Sequence, residues 1–241
     1  MAGMKSPHIR LGADSLLVDA VTHSTIKYAT LAISPILRKQ VELCEHSIEG
    51  RSEIEGFISR CFATKHGARI RHFMPRLLGL RTKIGYLIAA VGLRTASNSR
   101  LFLETYLDQP IEDVLKSKLG ETVRREEIIE VGNLSSLYPG ASRWLILALT
   151  FILHDEEYKW VTFTGTSVLR NSFSRLGLRP IELAVATKKH LSLSDRDNWG
   201  GYYENSPMVM AGDITYGHHR LSKLRNFSRQ MHFDMNRDEA A

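Results

Sequence analysis

A chain of 241 residues with 43% hydrophobic and 24% charged residues has the make-up of a packed globular protein, long enough for one large domain or two small ones. The formal net charge of +6 favours anionic partners such as phosphates, acidic proteins, nucleic acid or lipid headgroups. Two cysteines, Cys44 and Cys61, argue against a disulfide scaffold, and the longest apolar run, "WLILALTFIL" from Trp144 to Leu153, is about half as long as a bilayer-crossing helix. The start of the chain lacks the apolar core of a signal peptide, so a cytoplasmic protein is expected.

Residues 1–35 mix polar and apolar side chains without a firm period and stay unassigned. "RKQVELCE" (38–45) alternates as a strand does. "SEIEGFISRCFATKHG" places Ile54, Phe57, Ile58, Cys61 and Phe62 on one helical face, with Gly67 as its stop. Two strands around a turn near Thr82–Gly85 follow, and "SRLFLETYL" reads as a third. "DQPIEDVLKSKLG" predicts a short helix capped by Asp108, with Pro110 in its first turn and Gly120 at its end. "REEIIEVGNLS", "KWVTFTGT" and "LRPIELAVA" predict strands, separated by helices over "ASRWLILALTFILHDEEY" and "SVLRNSFSRLG". The order implies an α/β protein with a mixed, mostly antiparallel sheet flanked by helices. From Leu191 the chain reads as a loop folded over the domain, and "GHHRLSKLRNFSRQMHF" as a basic helix with Leu221, Leu224, Phe227 and Met231 at helical spacing.

The strand "IIEVGNLS" runs into the central helix through "LYPGAS". The first N–H groups of such a helix have no intrahelical partner and, with the helix dipole, favour an anion. Gly140 lets a ligand approach the backbone, Ser142 can cap the helix or donate a hydrogen bond, and Arg143 adds positive charge at that end. The turn is either a plain connection or a phosphate cradle.

The succession of strand, glycine-bearing turn, helix, strand and a helix ending in "LGL" (Leu176 to Leu178) resembles the GNAT acetyltransferase fold. In that fold the turn holds the pyrophosphate of coenzyme A; here Leu137 to Ser142 occupy it, including Gly140 and Ala141, without the customary leading Gln or Arg. Phe173 stands where many of those enzymes carry a tyrosine general acid. The blocks "KHGARIRHFMPRLLGL", "AVGLRTAS", "LFLETYLDQPIE", "IIEVGNLSS", "WVTFTGTSVLRNSFSRLGL" and "NWGGYYENSPMVMAGDI" together are similar to the family of thermostable haemolysins. The resemblance covers residues 65–214 and implies a GNAT-like twisted sheet related to that of the acyl-homoserine-lactone synthases. Where those synthases carry Glu-x-Ser/Thr-Arg, this chain has Glu130, Val131, Gly132 and Asn133, so the acid matches and the arginine does not. The expected organisation is an unassigned segment over 1–35, a GNAT-like domain over 36–214 and a basic tail over 215–241.

Acyl transfer to an amine needs a held thioester, a deprotonated amine and donors for the oxyanion. The resemblance assigns the oxyanion donors to the backbone from Val131 through Asn133 to Leu134. Strand alternation sets Glu130 on the face opposite Ile129 and Val131, and a carboxylate among apolar neighbours is either paired or functional. Glu130 and Glu104 are the candidate bases. Arg94 and Phe173 are candidate substrate contacts. Asn171 either caps its helix or reaches the pantetheine arm, and Arg175 either meets a cofactor phosphate or lies on a solvated face. Trp199, Tyr202 and Tyr203 either line an acyl tunnel or fill the core.

The leading expectation is an N-acyltransferase that takes a fatty acyl group from acyl-CoA or an acidic acyl carrier protein to a small amine, with no metal and no nucleic acid. The rival is a membrane-active cytolysin, for which the sequence offers no export signal and no bilayer-length segment. No HExxH, Gly-x-Ser-x-Gly or Walker motif supports a protease, hydrolase or NTPase.

Overall fold

The computed structural model describes residues 28–32, 40–45, 48–82 and 84–223. The alternating segments form eight strands: β1 (Tyr28–Ala32), β2 (Gln40–Glu45), β3 (Arg76–Thr82), β4 (Leu87–Thr95), β5 (Ile128–Ser136), β6 (Trp160–Gly165), β7 (Ile181–Val185) and β8 (Met208–Asp213). They make one sheet in the order β1-β2-β3-β4-β5-β6-β8-β7. Every neighbouring pair is antiparallel except β5 and β6. A parallel pair needs a crossover, and the helix α3 supplies it. The helices are α1 (Ile48–His66), α2 (Ile111–Leu119), α3 (Pro139–Asp155), α4 (Ser167–Arg175), the single turn α5 (Leu193–Arg196) and α6 over 214–223.

The sheet is covered on both faces. On one, Leu145, Leu149 and Ile152 of α3 pack onto Leu78, Leu80, Val91, Leu93, Ile129 and Val131. On the other, Ile54, Phe57, Ile58 and Phe62 of α1 pack onto Leu77 and Ala90, while Leu101, Leu103, Ile111 and Leu115 cover Ile128, Val209 and Ala211. Each fully buried aliphatic side chain contributes about 1.5–3 kcal/mol, so this double coverage supplies most of the cohesion. The apolar face expected for α1 is the face that is buried.

Three expectations are corrected. "LFLETYL" is no strand but a 3-10 turn over Leu103–Tyr106, because two carboxylates take the N–H groups that a ladder would otherwise need: Glu104 accepts from Leu101, and Glu130 from Phe102 and Leu103. Asp108 does not cap α2; Pro110 holds the N-cap position, and the N–H of Ile111 donates to Glu104 instead. Met208–Asp213 is no loop but a strand, β8, inserted between β6 and β7. Residues 1–27, and Leu224, Phe227 and Met231 of the basic tail, lie outside the described residues.

Candidate active site

The parallel pairing of β5 and β6 ends at Val131 opposite Phe163. β5 nevertheless stays paired with β4 to Ser136, and β6 with β8 to Gly165. The two strands therefore splay apart as a V, leaving their facing edges without a ladder partner. A cavity of about 550 Å3 occupies the V and reaches both faces of the sheet.

A β-bulge shapes one side of the opening. Ala90 faces Ser135 while Gly92 faces Gly132, so Asn133 and Leu134 oppose Val91 alone, and Asn133 takes the left-handed conformation at φ 53°. Asparagine tolerates that conformation because its short amide finds local partners. Here Asn133 Oδ1 accepts from Met74 N at 2.9 Å and Nδ2 donates to His72 O at 3.4 Å, tying the loop after α1 across the bulge.

Glu130 projects from β5 into this opening and is 2% exposed. Its carboxylate accepts from Leu103 N at 2.8 Å and Phe102 N at 2.9 Å. Arg94, its register partner on β4, stands 3.9 Å away. Burial pushes the Glu130 carboxyl pKa above its ordinary value, against the opposing pull of the two N–H groups and Arg94. Around this pair stand Phe62, Phe102, Tyr106, Trp199 and Tyr202, with the Tyr106 hydroxyl paired to that of Tyr203. Tyr202 Oη donates to Thr164 O at 3.3 Å. Burial raises the phenol pKa of Tyr202, and holds His66 below the usual imidazole range with help from Lys65.

The two ends of the cavity differ in chemistry. Lys65, His66, Arg69, Arg71 and His72, from the end of α1 and the loop beyond it, form a basic rim. Lys65 Nζ reaches Ser136 O at 2.7 Å, on the splayed end of β5. Behind the sheet the cavity is lined by Ile146, Leu149, Leu153, Phe163, Leu178 and Ile214, all apolar. The N-terminus of α3 closes a third side with Leu137, Tyr138 and Ser142. Ser142 does not cap that helix; its Oγ lies 2.6 Å from Ser136 Oγ, bracing the helix start against β5.

Of the residues singled out from sequence, Glu130, Arg94, Val131, Asn133, Ser142 and Phe173 line the cavity together. Gly140, Ala141 and Arg143 sit in the first turn of α3 without lining it, Ala141 being fully buried in the core. Asn171 and Arg175 are exposed on α4, away from the cavity. Glu104 also lies outside it. Burial alone would raise the Glu104 carboxyl, but Arg125, at 2.7 Å and 3.0 Å, and the N–H groups of Ile111 and Leu101 outweigh burial and hold it below the ordinary range. It organises the start of α2 rather than the cavity.

Sequence reading missed the basic rim and the contribution of Phe102 and Tyr106. The rim is visible as "KHGARIRH", but only the fold shows that its charges converge on the V. Among the described residues no helix is long and apolar enough to cross a membrane, and no group of three or more His, Cys, Asp or Glu side chains could hold a metal ion.

The architecture is shared with solved structures. FeeM, an N-acyl amino acid synthase from uncultured soil microbes, superposes with a TM-score of 0.54 at 12% identity over 78% of this chain and 96% of its own. TofI in an apo form superposes with a TM-score of 0.50 at 11% identity over 74% of this chain and 91% of its own. No curated protein matches the chain in sequence. At such identities the likeness is one of fold. The family model described as thermostable hemolysin matches residues 44–218, which span the splayed strands, the bulge and every wall of the cavity, and the chain belongs to that family.

Proposed function

We propose that the protein is an N-acyltransferase that moves a fatty acyl group from a CoA or acyl-carrier-protein thioester to the amine of a small, amino-acid-like acceptor. The observation that carries this reading is the V between β5 and β6, open to an apolar lobe on one face and to Glu130 and Arg94 on the other. A mostly apolar cavity with a few converging polar groups is what a lipidic ligand with one reactive end requires.

In this reading the acyl chain lies in the lobe lined by Ile146, Leu149, Leu153 and Ile214. The thioester carbonyl meets the unpaired edge of β5 beyond Val131, where backbone N–H groups at the bulge can receive a developing oxyanion. Donor phosphates, or the acidic surface of a carrier protein, suit the basic rim and the start of α3. The Glu130 carboxylate orients the acceptor ammonium and takes its proton, and Arg94 holds a carboxylate on the same acceptor. FeeM, by name an N-acyl amino acid synthase, is consistent with such an acceptor.

The test is to incubate the protein with acyl-CoA and acyl-carrier-protein of graded chain length and a panel of amino acids, then follow thiol release and N-acylated product by mass spectrometry. Product that depends on acyl chain length, with a melting temperature raised by the same thioesters, is the expected result. Neither product nor stabilisation with any donor overturns the reading, and dye leakage from liposomes by the protein alone would favour direct action on membranes.

A further inference from the structure

Acyl transfer leaves a sulfur anion to be protonated, and the one hydroxyl that α4 brings to the cavity, that of Ser172, donates to Val168 O within its own helix at 3.2 Å. Phe173 stacks on Phe163 with ring centroids 4.8 Å apart and carries no exchangeable proton. Four tyrosines line the cavity: Tyr106, Tyr138, Tyr202 and Tyr216. Tyr106 is engaged with the Tyr203 hydroxyl, and Tyr138 and Tyr216 lie at the solvent side, 39% and 48% exposed.

Tyr202 is placed differently. Its hydroxyl donates to the carbonyl of Thr164, the first residue of β6 beyond Phe163, where pairing with β5 stops. The hydroxyl therefore stands at the apex of the V, where a thioester threaded between the strands would break. At 3.3 Å the bond is long for a hydroxyl donor, so turning toward a better acceptor costs little. Thr164 Oγ1, in the same wall, is buried without a hydrogen-bond partner, so the wall keeps unused capacity for a polar ligand atom. The Tyr202 ring is fixed by His66 at 5.3 Å, Trp199 at 5.3 Å and Tyr203 at 5.4 Å.

We propose that Tyr202 is the general acid that protonates the departing thiolate, replacing the donor that Phe173 cannot be. The inference rests on the acyl-transfer reading above. The amine lone pair forms the C–N bond, the carbonyl π pair moves to oxygen and returns, and the C–S pair leaves with sulfur. The Tyr202 proton passes to that sulfur, and the proton shed by the acylated nitrogen restores the phenol. Thioester and amine become amide and thiol, with nothing else consumed. The buried phenol stays protonated until charge builds on sulfur.

The experiment compares Tyr202→Phe with the wild-type enzyme on two donors carrying the same acyl chain. One is acyl-CoA, whose alkyl thiolate needs a proton; the other is an aryl thioester, whose thiolate leaves as a stable anion. The expected result is a fall in kcat of about 10²–10⁴-fold with acyl-CoA and less than about tenfold with the aryl thioester, with KM and acyl-CoA stabilisation retained. Equal losses with both donors, or no loss with acyl-CoA, overturn the assignment. Wild-type inactivity on both donors, and on the same acyl chain carried by acyl carrier protein, would instead defeat the acyl-transfer reading; a wild type active only on the carrier protein is compared with Tyr202→Phe on that donor. If the variant does not fold, the solvent isotope effect of the wild-type enzyme reads the same proton: larger with acyl-CoA supports Tyr202, and equal with both donors rules it out.

Discussion

Arg94 and Glu130 face one another on β4 and β5 with opposite charges 3.9 Å apart, and both open into the cavity between the splayed strands. The separation is too long for a hydrogen bond, so each group keeps capacity for a ligand of opposite charge. A zwitterionic amine could satisfy both at once. Arg94→Ala is expected to raise KM about 10–100-fold for acceptors bearing a carboxylate, corresponding to one lost charge-assisted hydrogen bond, and to leave amines without a carboxylate unaffected. Steady-state kinetics on matched acceptors, such as an amino acid and its decarboxylated amine, check this; equal effects on both would remove Arg94 from acceptor recognition.

The elevated pKa of Glu130 sets a pH dependence. The carboxylate is the form that accepts a proton, so activity should rise with pH through the Glu130 pKa, with an acid limb above the ordinary carboxylate range. For stability the sign is the reverse. Because folding raises this pKa, the contribution of the protonated form is full below the unfolded value and is lost as pH rises through the folded one. The melting temperature of wild type relative to Glu130→Gln should therefore fall as pH is raised from about 4 to about 8. Parallel melting curves over that range would show that Glu130 is not shifted upward.

Glu104 makes the opposite prediction. It is buried, receives three hydrogen bonds from Arg125 and Ile111 and one from Leu101, and sits outside the cavity. Glu104→Ala leaves Arg125 without that partner and the N-terminus of α2 without its acceptor, at a cost of about 3–5 kcal/mol, or roughly 6–20 °C in melting temperature. Its carboxyl is held low by folding, so its contribution is present above the unfolded pKa and lost as pH falls through the folded one. Calorimetry at neutral and acidic pH should show the wild-type advantage shrinking toward acid, while below its own melting point the variant still binds acyl-CoA.

The contrast between the two glutamates shows where the sequence was legible. Both carboxylates stand among apolar neighbours, and periodicity could place Glu130 on its face of β5. It could not show that Glu104 bonds to Arg125 and to Ile111 N, because those partners arrive through the turn at Leu103–Tyr106 that alternation alone mistakes for a strand. Strands β3 to β7 and helices α1 to α4 were readable because each carries its own period and stop. β8 was not: "MVMAGD" is short, follows a turn-rich stretch, and owes its strand form to β6 and β7 on either side. Of the aromatic wall, Trp199, Tyr202 and Tyr203 were visible as candidates, but the share of Phe102 and Tyr106 was hidden, since Tyr106 and Tyr203 meet across 97 positions of sequence.

That wall depends on one glycine. Gly200, between Trp199 and Tyr202, has φ 48° and ψ −131°, a conformation open only to glycine, and an added Cβ would overlap the carbonyl of His66 and the backbone of Gly67. The same approach allows Gly201 N to reach His66 O at 2.8 Å and Arg69 N to reach Asn198 O at 2.6 Å, seating the 197–205 segment on the end of α1. Gly200→Ala should cost about 1–3 kcal/mol in backbone strain and also pull Trp199 and Tyr202 out of place. Gly85 is the control: it too has a positive φ, 88°, but a Cβ there meets nothing within 4 Å, and it lies in the β3–β4 turn. Gly85→Ala should lower the melting temperature without changing the stabilisation by acyl-CoA, whereas Gly200→Ala should lower both. If Gly200→Ala binds acyl-CoA as the wild type does, the 197–205 segment is not part of the thioester site.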